Sequence, residues 1–194
     1  MKTFHLAVIY STALLAAVAL APSGGRAQTI GSPERFTAVA INTTGGGTTS
    51  LEIAIDRWST DKERDELQSV LLAKGADKLL DVLQHTPKVG FIRESSSIGW
   101  DLHYARRTPL PEGGERIVVA TDRPIGVWEA SRQPRSIDYP FTIVELRVNA
   151  DGNGEGKLSF ATKIIPDKES GTVVLENYGI QPVLLSGVKR VKAN

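Results

Sequence analysis

Apolar and polar residues alternate with a period of two along most of this chain, and fall at helical spacing in only one stretch. Leu51, Ile53 and Ile55 alternate with Glu52, Ala54 and Asp56, as expected of a strand with one wet face. Strands are predicted over 36–42 and 50–57, parted by the loop triplet Gly45-Gly46-Gly47. After Lys88 every signal is for strands: 89–93, 98–106, 116–122, 125–129, 142–149, 157–165, 172–178 and 183–191. Ser95-Ser96-Ser97, Pro111-Glu112-Gly113-Gly114, Asp151-Gly152-Asn153-Gly154 and residues 167–171 supply the turns between them.

The period changes between residues 60 and 87. Thr60-Asp61-Lys62-Glu63 matches a capping box, in which the Thr hydroxyl accepts from the third amide and the Glu reaches back. Leu67, Val70 and Leu71 follow at helical spacing, and Gly75 stands where a helix end favours positive φ. A second short helix is predicted over 77–84, with Leu79, Leu80 and Leu83 on one face and Pro87 beyond it. Such a hairpin of helices has too short an apolar stripe to stand alone, so it must pack on the sheet.

Short connections predict antiparallel neighbours, with a meander through the last four strands. The expected fold class is therefore α+β and mainly antiparallel β, about ten strands in a barrel or two-layer sandwich, with one short helical hairpin inserted after the second strand.

The N-terminus changes how much of the chain belongs to that fold. Lys2, an uncharged apolar run over 4–21 and the small-residue exit Gly25-Arg26-Ala27 read as a secretory signal peptide over 1–27. A mobile polar leader (28–33) and a single β-rich domain (34–194) follow. Loss of Lys2 and Arg26 takes the 23 basic residues down by two against 22 acidic ones, a mature net charge of −1. A near-neutral surface has no electrostatic reason to seek nucleic acid or anionic lipid. With no cysteine in the chain, disulfides, thiolate metal sites and a thiol nucleophile are excluded together. The expected location is periplasmic or secreted, with no membrane span after cleavage.

Candidate chemistry is sparse. Asp151, Asn153 and Glu155 alternate with glycines like the start of a calcium loop, but position twelve would be Thr162, so a plain turn is expected and no metal or cofactor. His85, at the end of the second helix, is suited to capping its carbonyls. Asp101 and His103, two apart on one strand, could serve proton transfer in a hydrolase or isomerase, though no nucleophile motif accompanies them. Ile98, Trp100, Leu102 and Tyr104 form an aromatic-rich opposite face, suited to core or to lining a ligand cavity. Trp128, Arg132, Arg135, Asp138 and Tyr139 lie on or beside an irregular loop, an arginine and aromatic mixture that binding surfaces use. The expected ligand-binding residues are Trp100, Tyr104, Trp128, Arg132, Arg135 and Tyr139, taking a small partly apolar ligand or an envelope partner without catalysis. The alternative is a structural or interaction module with no ligand cavity.

Overall fold

A computed structural model of the chain describes residues 31–41, 47–95, 97–123, 140–167, 172–177 and 182–191. Among these, the elements follow in the order β1 (Glu34–Ile41), β2 (Thr48–Ile55), α1 (Asp61–Lys74), α2 (Ala76–His85), β3 (Gly90–Glu94), β4 (Trp100–Leu102), β5 (Tyr104–Pro109), β6 (Glu115–Thr121), β7 (Phe141–Val148), β8 (Asn153–Asp167), β9 (Thr172–Asn177) and β10 (Val183–Val191). The ten strands form one sheet ordered β4-β3-β2-β1-β10-β8-β7-β6-β5, with β9 on β8 alone. Every pairing is antiparallel. The α+β class with a helical hairpin after the second strand is therefore the one that the hydrophobic pattern implied.

The two ends of that sheet, β4 and β5, are separated in the chain by His103 alone. A strand predicted as one piece over 98–106 is thus bent, its first half pairing with β3 and its second with β6. The sheet consequently rolls until its ends meet, yet no ladder joins β4 to β5, so it is two facing layers and not a closed barrel. The link between β2 and α1 covers this seam. Ser59 donates its amide to the Ala105 carbonyl while its hydroxyl accepts from the Ala105 amide at 3.0 Å.

Inward-facing side chains from both layers meet in one core that includes Phe36, Ile53, Trp58, Ile92, Leu102, Ile117, Leu146, Leu158 and Leu185. Alternation sends Ile117 and Val119 of β6 into this core, and Val118 and Ala120 to the outer face. There they meet Leu71, Leu79 and Leu83 of the helices, with Phe141 and Ile143 of β7. Burying each of those three leucines contributes about 2 kcal/mol, which is what holds a hairpin of short helices in place. Its ends are set locally. Thr60 and Glu63 complete the capping box, and Gly75, at φ 83°, separates α1 from α2 in a conformation that side chains avoid.

One predicted pairing is corrected. The last strands do not run on as a meander, because β10 lies between β8 and β1 and does not pair with β9. The reason is the length of β8, 15 residues, whose first half (Asn153 to Leu158) takes β10 and whose second (Thr162 to Asp167) takes β9 along the same edge. A bulge separates the halves: Ile143 faces Ser159 but Phe141 faces Thr162. The extra residue flips the alternation of β8 and turns Ile164, with Val173 and Leu175 of β9, onto the helix-side cluster. The predicted strand over 125–129 lies outside the described residues, as does the signal peptide. Among the described residues no helix is long and apolar enough to cross a membrane.

Candidate functional site

The bend at His103 redistributes the residues that the sequence grouped. Leu102 is fully buried and Trp100 packs on the main core from the edge strand β4. Ile98 stands bare to solvent. Tyr104 lies beyond the break and joins the helix-side cluster, so Trp100 and Tyr104 do not line one site. Asp101 is paired with Lys88 at 2.5 Å. His103 turns away from Asp101: its Nδ1 donates to the Thr86 carbonyl at 2.8 Å, and its Nε2 stands 3.8 Å from Asp122 Oδ1. The anticipated His103–Asp101 pair is not formed, since the strand carrying both residues ends between them. Trp128, Arg132, Arg135, Asp138 and Tyr139 lie outside the described residues.

Two smaller expectations hold. His85 Nδ1 donates to the Asp81 carbonyl at 2.6 Å in the last turn of α2. The glycine-rich stretch at 151–154 is a hairpin turn, in which Asn149 Oδ1 accepts from the amides of Asp151 and Asn153 at 3.0 Å each. Among the described residues no group of His, Asp or Glu could hold a metal ion.

Two charged clusters carry the remaining chemistry. The first closes the end of the roll where β1 begins and β10 ends, which we call the mouth. Arg107 Nη1 bonds Glu34 Oε1 at 2.8 Å, Arg190 Nε stands 2.9 Å from Glu34 Oε2, and both arginines reach Glu115. Glu34 and Arg190 belong to the opposite layer from Arg107 and Glu115, so the four charges staple the layers together. The arginines cap core aromatics: Arg107 lies 4.9 Å from the Trp58 ring centre and Arg190 5.4 Å from that of Phe36, in reach of cation–π attraction. A Cβ added to Gly31 would stand 2.9 Å from Trp58, so the end of the segment read as a leader rests on this cap. An open pocket of about 320 Å³ beside it is lined by Pro33, Glu34, Ala150, Asp151, Gly152, Arg190 and Val191. Two Arg against two Glu leave this cluster neutral, although Arg190 Nε, Glu34 Oε2 and the Trp58 Nε1 are buried there without a hydrogen-bond partner among the described residues.

The second cluster sits on the outer face, at the seam between the first turn of α1 and strands β5 to β7. Register places Arg106 opposite Val118, Val118 opposite Glu145, and Thr108 opposite Arg116, so Arg106 and Arg116 are diagonal neighbours on one face. Arg106 bonds Asp61 at 2.9 Å, Arg116 bonds Glu145 at 2.9 Å, and Arg64 stands 3.5 Å from Asp61. Tyr104 is partly buried beside them and packs, like Leu67 and Val118, on the helix-side cluster. Burial pushes its phenol above 10.0, and the charges of Arg106, Arg64 and Arg116 pull the other way without cancelling the effect. Burial likewise pushes the Glu145 carboxyl up, but the hydrogen bond and charge of Arg116, with those of Arg147, outweigh it and hold the group below 4.5.

Among the described residues this seam, unlike the mouth, carries more guanidinium groups than carboxylates. Among the described residues the Tyr104 hydroxyl has no hydrogen-bond partner, and the buried Nε of Arg116 has none either. Arg106 uses Nη1 on Asp61 and leaves Nε and Nη2 without an acceptor. Of these residues the sequence singled out Tyr104 alone. Arg106, two positions on, shares its face by simple alternation and could have been added. Arg116 and Arg64 arrive through cross-strand register and helix docking, which leave no local signal.

The chain matches no family model, no curated protein and no solved structure. Fold and site define its class: an antiparallel roll around one apolar core, capped by ions at one end and clasped by a helical hairpin on one face.

Proposed function

We propose that this chain is an exported, periplasmic or secreted protein that works by binding a small, partly apolar ligand, and that the ligand sits on the outer seam at Tyr104. One observation carries the reading: the Tyr104 hydroxyl has no protein partner among the described residues, while its ring packs, as Leu67 and Val118 do, on the apolar helix-side cluster. An aromatic ring with an unused polar tip is what small-molecule sites use to orient a mixed ligand. Trp100, the other aromatic of the predicted site, packs instead against the main core, to which both layers contribute side chains. The signal peptide and the lack of cysteine support export.

The test is a titration of the mature protein with the neutral apolar probe 1-N-phenylnaphthylamine, followed by amide NMR shifts. Shifts gathered on Leu67, Tyr104 and Val118, and lost in Tyr104→Ser, are expected. Saturable binding that shifts only residues elsewhere, or no saturable binding, would remove the proposal.

A further inference from the structure

We infer that the seam holds the oxyanion of a phosphate or sulfate ester, with Arg106, Arg116 and the Tyr104 hydroxyl as its donors. This rests on the reading of the seam as the binding site and adds the chemistry of the ligand's polar end. Among the described residues, three guanidinium groups, Arg64, Arg106 and Arg116, share the site with two carboxylates, Asp61 and Glu145, an excess of one positive charge. Including the neighbouring Arg147, bonded to Glu145, and Asp65, bonded to Arg64, adds one charge of each sign and keeps that excess.

The side chains of Arg106 and Arg116 are each about 20% exposed, so their charges act at a low-dielectric edge where water competes weakly. Each has N–H groups left over after its bond to a carboxylate, Nε and Nη2 on Arg106 and Nη1 on Arg116, while the Arg116 Nε is shut away from the surface. An oxyanion with three acceptor oxygens suits the fork geometry that guanidinium favours. The Tyr104 hydroxyl is a phenol whose pKa burial raises still further above neutral pH, so it meets such a group as a donor. A carbonyl or amine ligand would leave the charge excess unanswered. The mouth cluster offers no such site, because its two Arg and two Glu cancel.

The apolar side chains at the seam, Leu67 and Val118, set an alkyl portion beside the oxyanion. The closing experiment therefore titrates the mature protein by NMR with hexyl phosphate, 1-hexanol and inorganic phosphate at matched ionic strength. Hexyl phosphate is expected to bind at least about tenfold tighter than hexanol, the worth of one charge-assisted contact. Arg106→Gln and Arg116→Gln should each erase about tenfold of that preference, and Tyr104→Phe about threefold. Inorganic phosphate binding as tightly as the ester would assign the site to a free oxyanion, and binding about tenfold weaker would assign it to an amphiphile. If hexanol reaches the seam but hexyl phosphate binds no tighter, the oxyanion inference falls and the binding site stands. If no probe shifts the seam, both fall. Should Arg116→Gln not fold, Arg106→Gln decides alone, with Arg106→Lys expected to restore part of the preference.

Discussion

The mouth and the seam use the same residue types to opposite ends. At the mouth, Glu34, Arg107, Glu115 and Arg190 point inward from four strands, cancel one another in charge, and sit on Trp58 and Phe36. At the seam, Arg64, Arg106 and Arg116 point outward and outnumber Asp61 and Glu145; Arg64 spends its nitrogens on Asp61 and Asp65, whereas Arg106 keeps donors unused. Unused donors occur in both regions, since Arg190 Nε at the mouth has no hydrogen-bond partner among the described residues either, so arginine content and stray donors do not mark a binding site: what differs is whether the surrounding carboxylates cancel the guanidinium charge.

That contrast can be broken experimentally. The largest effect is expected where the mouth meets the core: Trp58→Ala should cost about 3–5 kcal/mol in chemical denaturation, because a buried indole leaves a cavity and Arg107 loses its ring. A loss under about 1 kcal/mol would mean that the mouth is not part of the core. Glu34→Ala should cost about 1–2 kcal/mol with an unchanged denaturant slope, less than a fully buried pair because these side chains keep some contact with water. Thr60→Ala removes one half of the capping box and should cost about 1 kcal/mol, loosening the helix that carries Arg64 and Asp61.

Acid should distinguish the clusters more finely. A carboxyl whose folded value is depressed contributes stability above its ordinary value, and that contribution is lost as pH falls through the folded one. Glu145 at the seam is such a group, held down by Arg116 against its burial. Glu63, bonded by Arg57 and the Thr60 amide, is another. Glu145→Gln should thus lose less stability than the parent when pH is lowered below about 4.5, measured by urea midpoint at each pH. Parallel curves for the two proteins would show that the seam pair contributes nothing. The smallest effect is reserved for Arg106→Gln, which should change stability by no more than about 0.5 kcal/mol while impairing binding. A loss as large as that of Glu34→Ala would make the seam a second staple.

Much of the fold was legible in the chain. Thr60, Glu63 and Gly75 announce the helical hairpin because capping and positive φ are decided within a few residues. The final strand, Val183–Val191, was readable to its last residue from alternation alone. Where the reading failed, the cause was non-local. Nothing within residues 98–106 says that Leu102 will end one pairing and Tyr104 begin another, because the bend answers to the meeting of the sheet's two ends. Nor does β8 reveal in its own sequence that one edge will hold two partners.

The sequence by itself determined which faces are apolar, where the helices start and stop, and that no thiol chemistry is possible, for these follow from side-chain type and spacing along one segment. Tertiary structure alone decided that His103 would face Asp122, that Tyr104 would leave Trp100 for the helices, and that Arg106 and Arg116 would become neighbours. Those outcomes depend on how the sheet rolls and on cross-strand register, and both are set by packing the whole core at once.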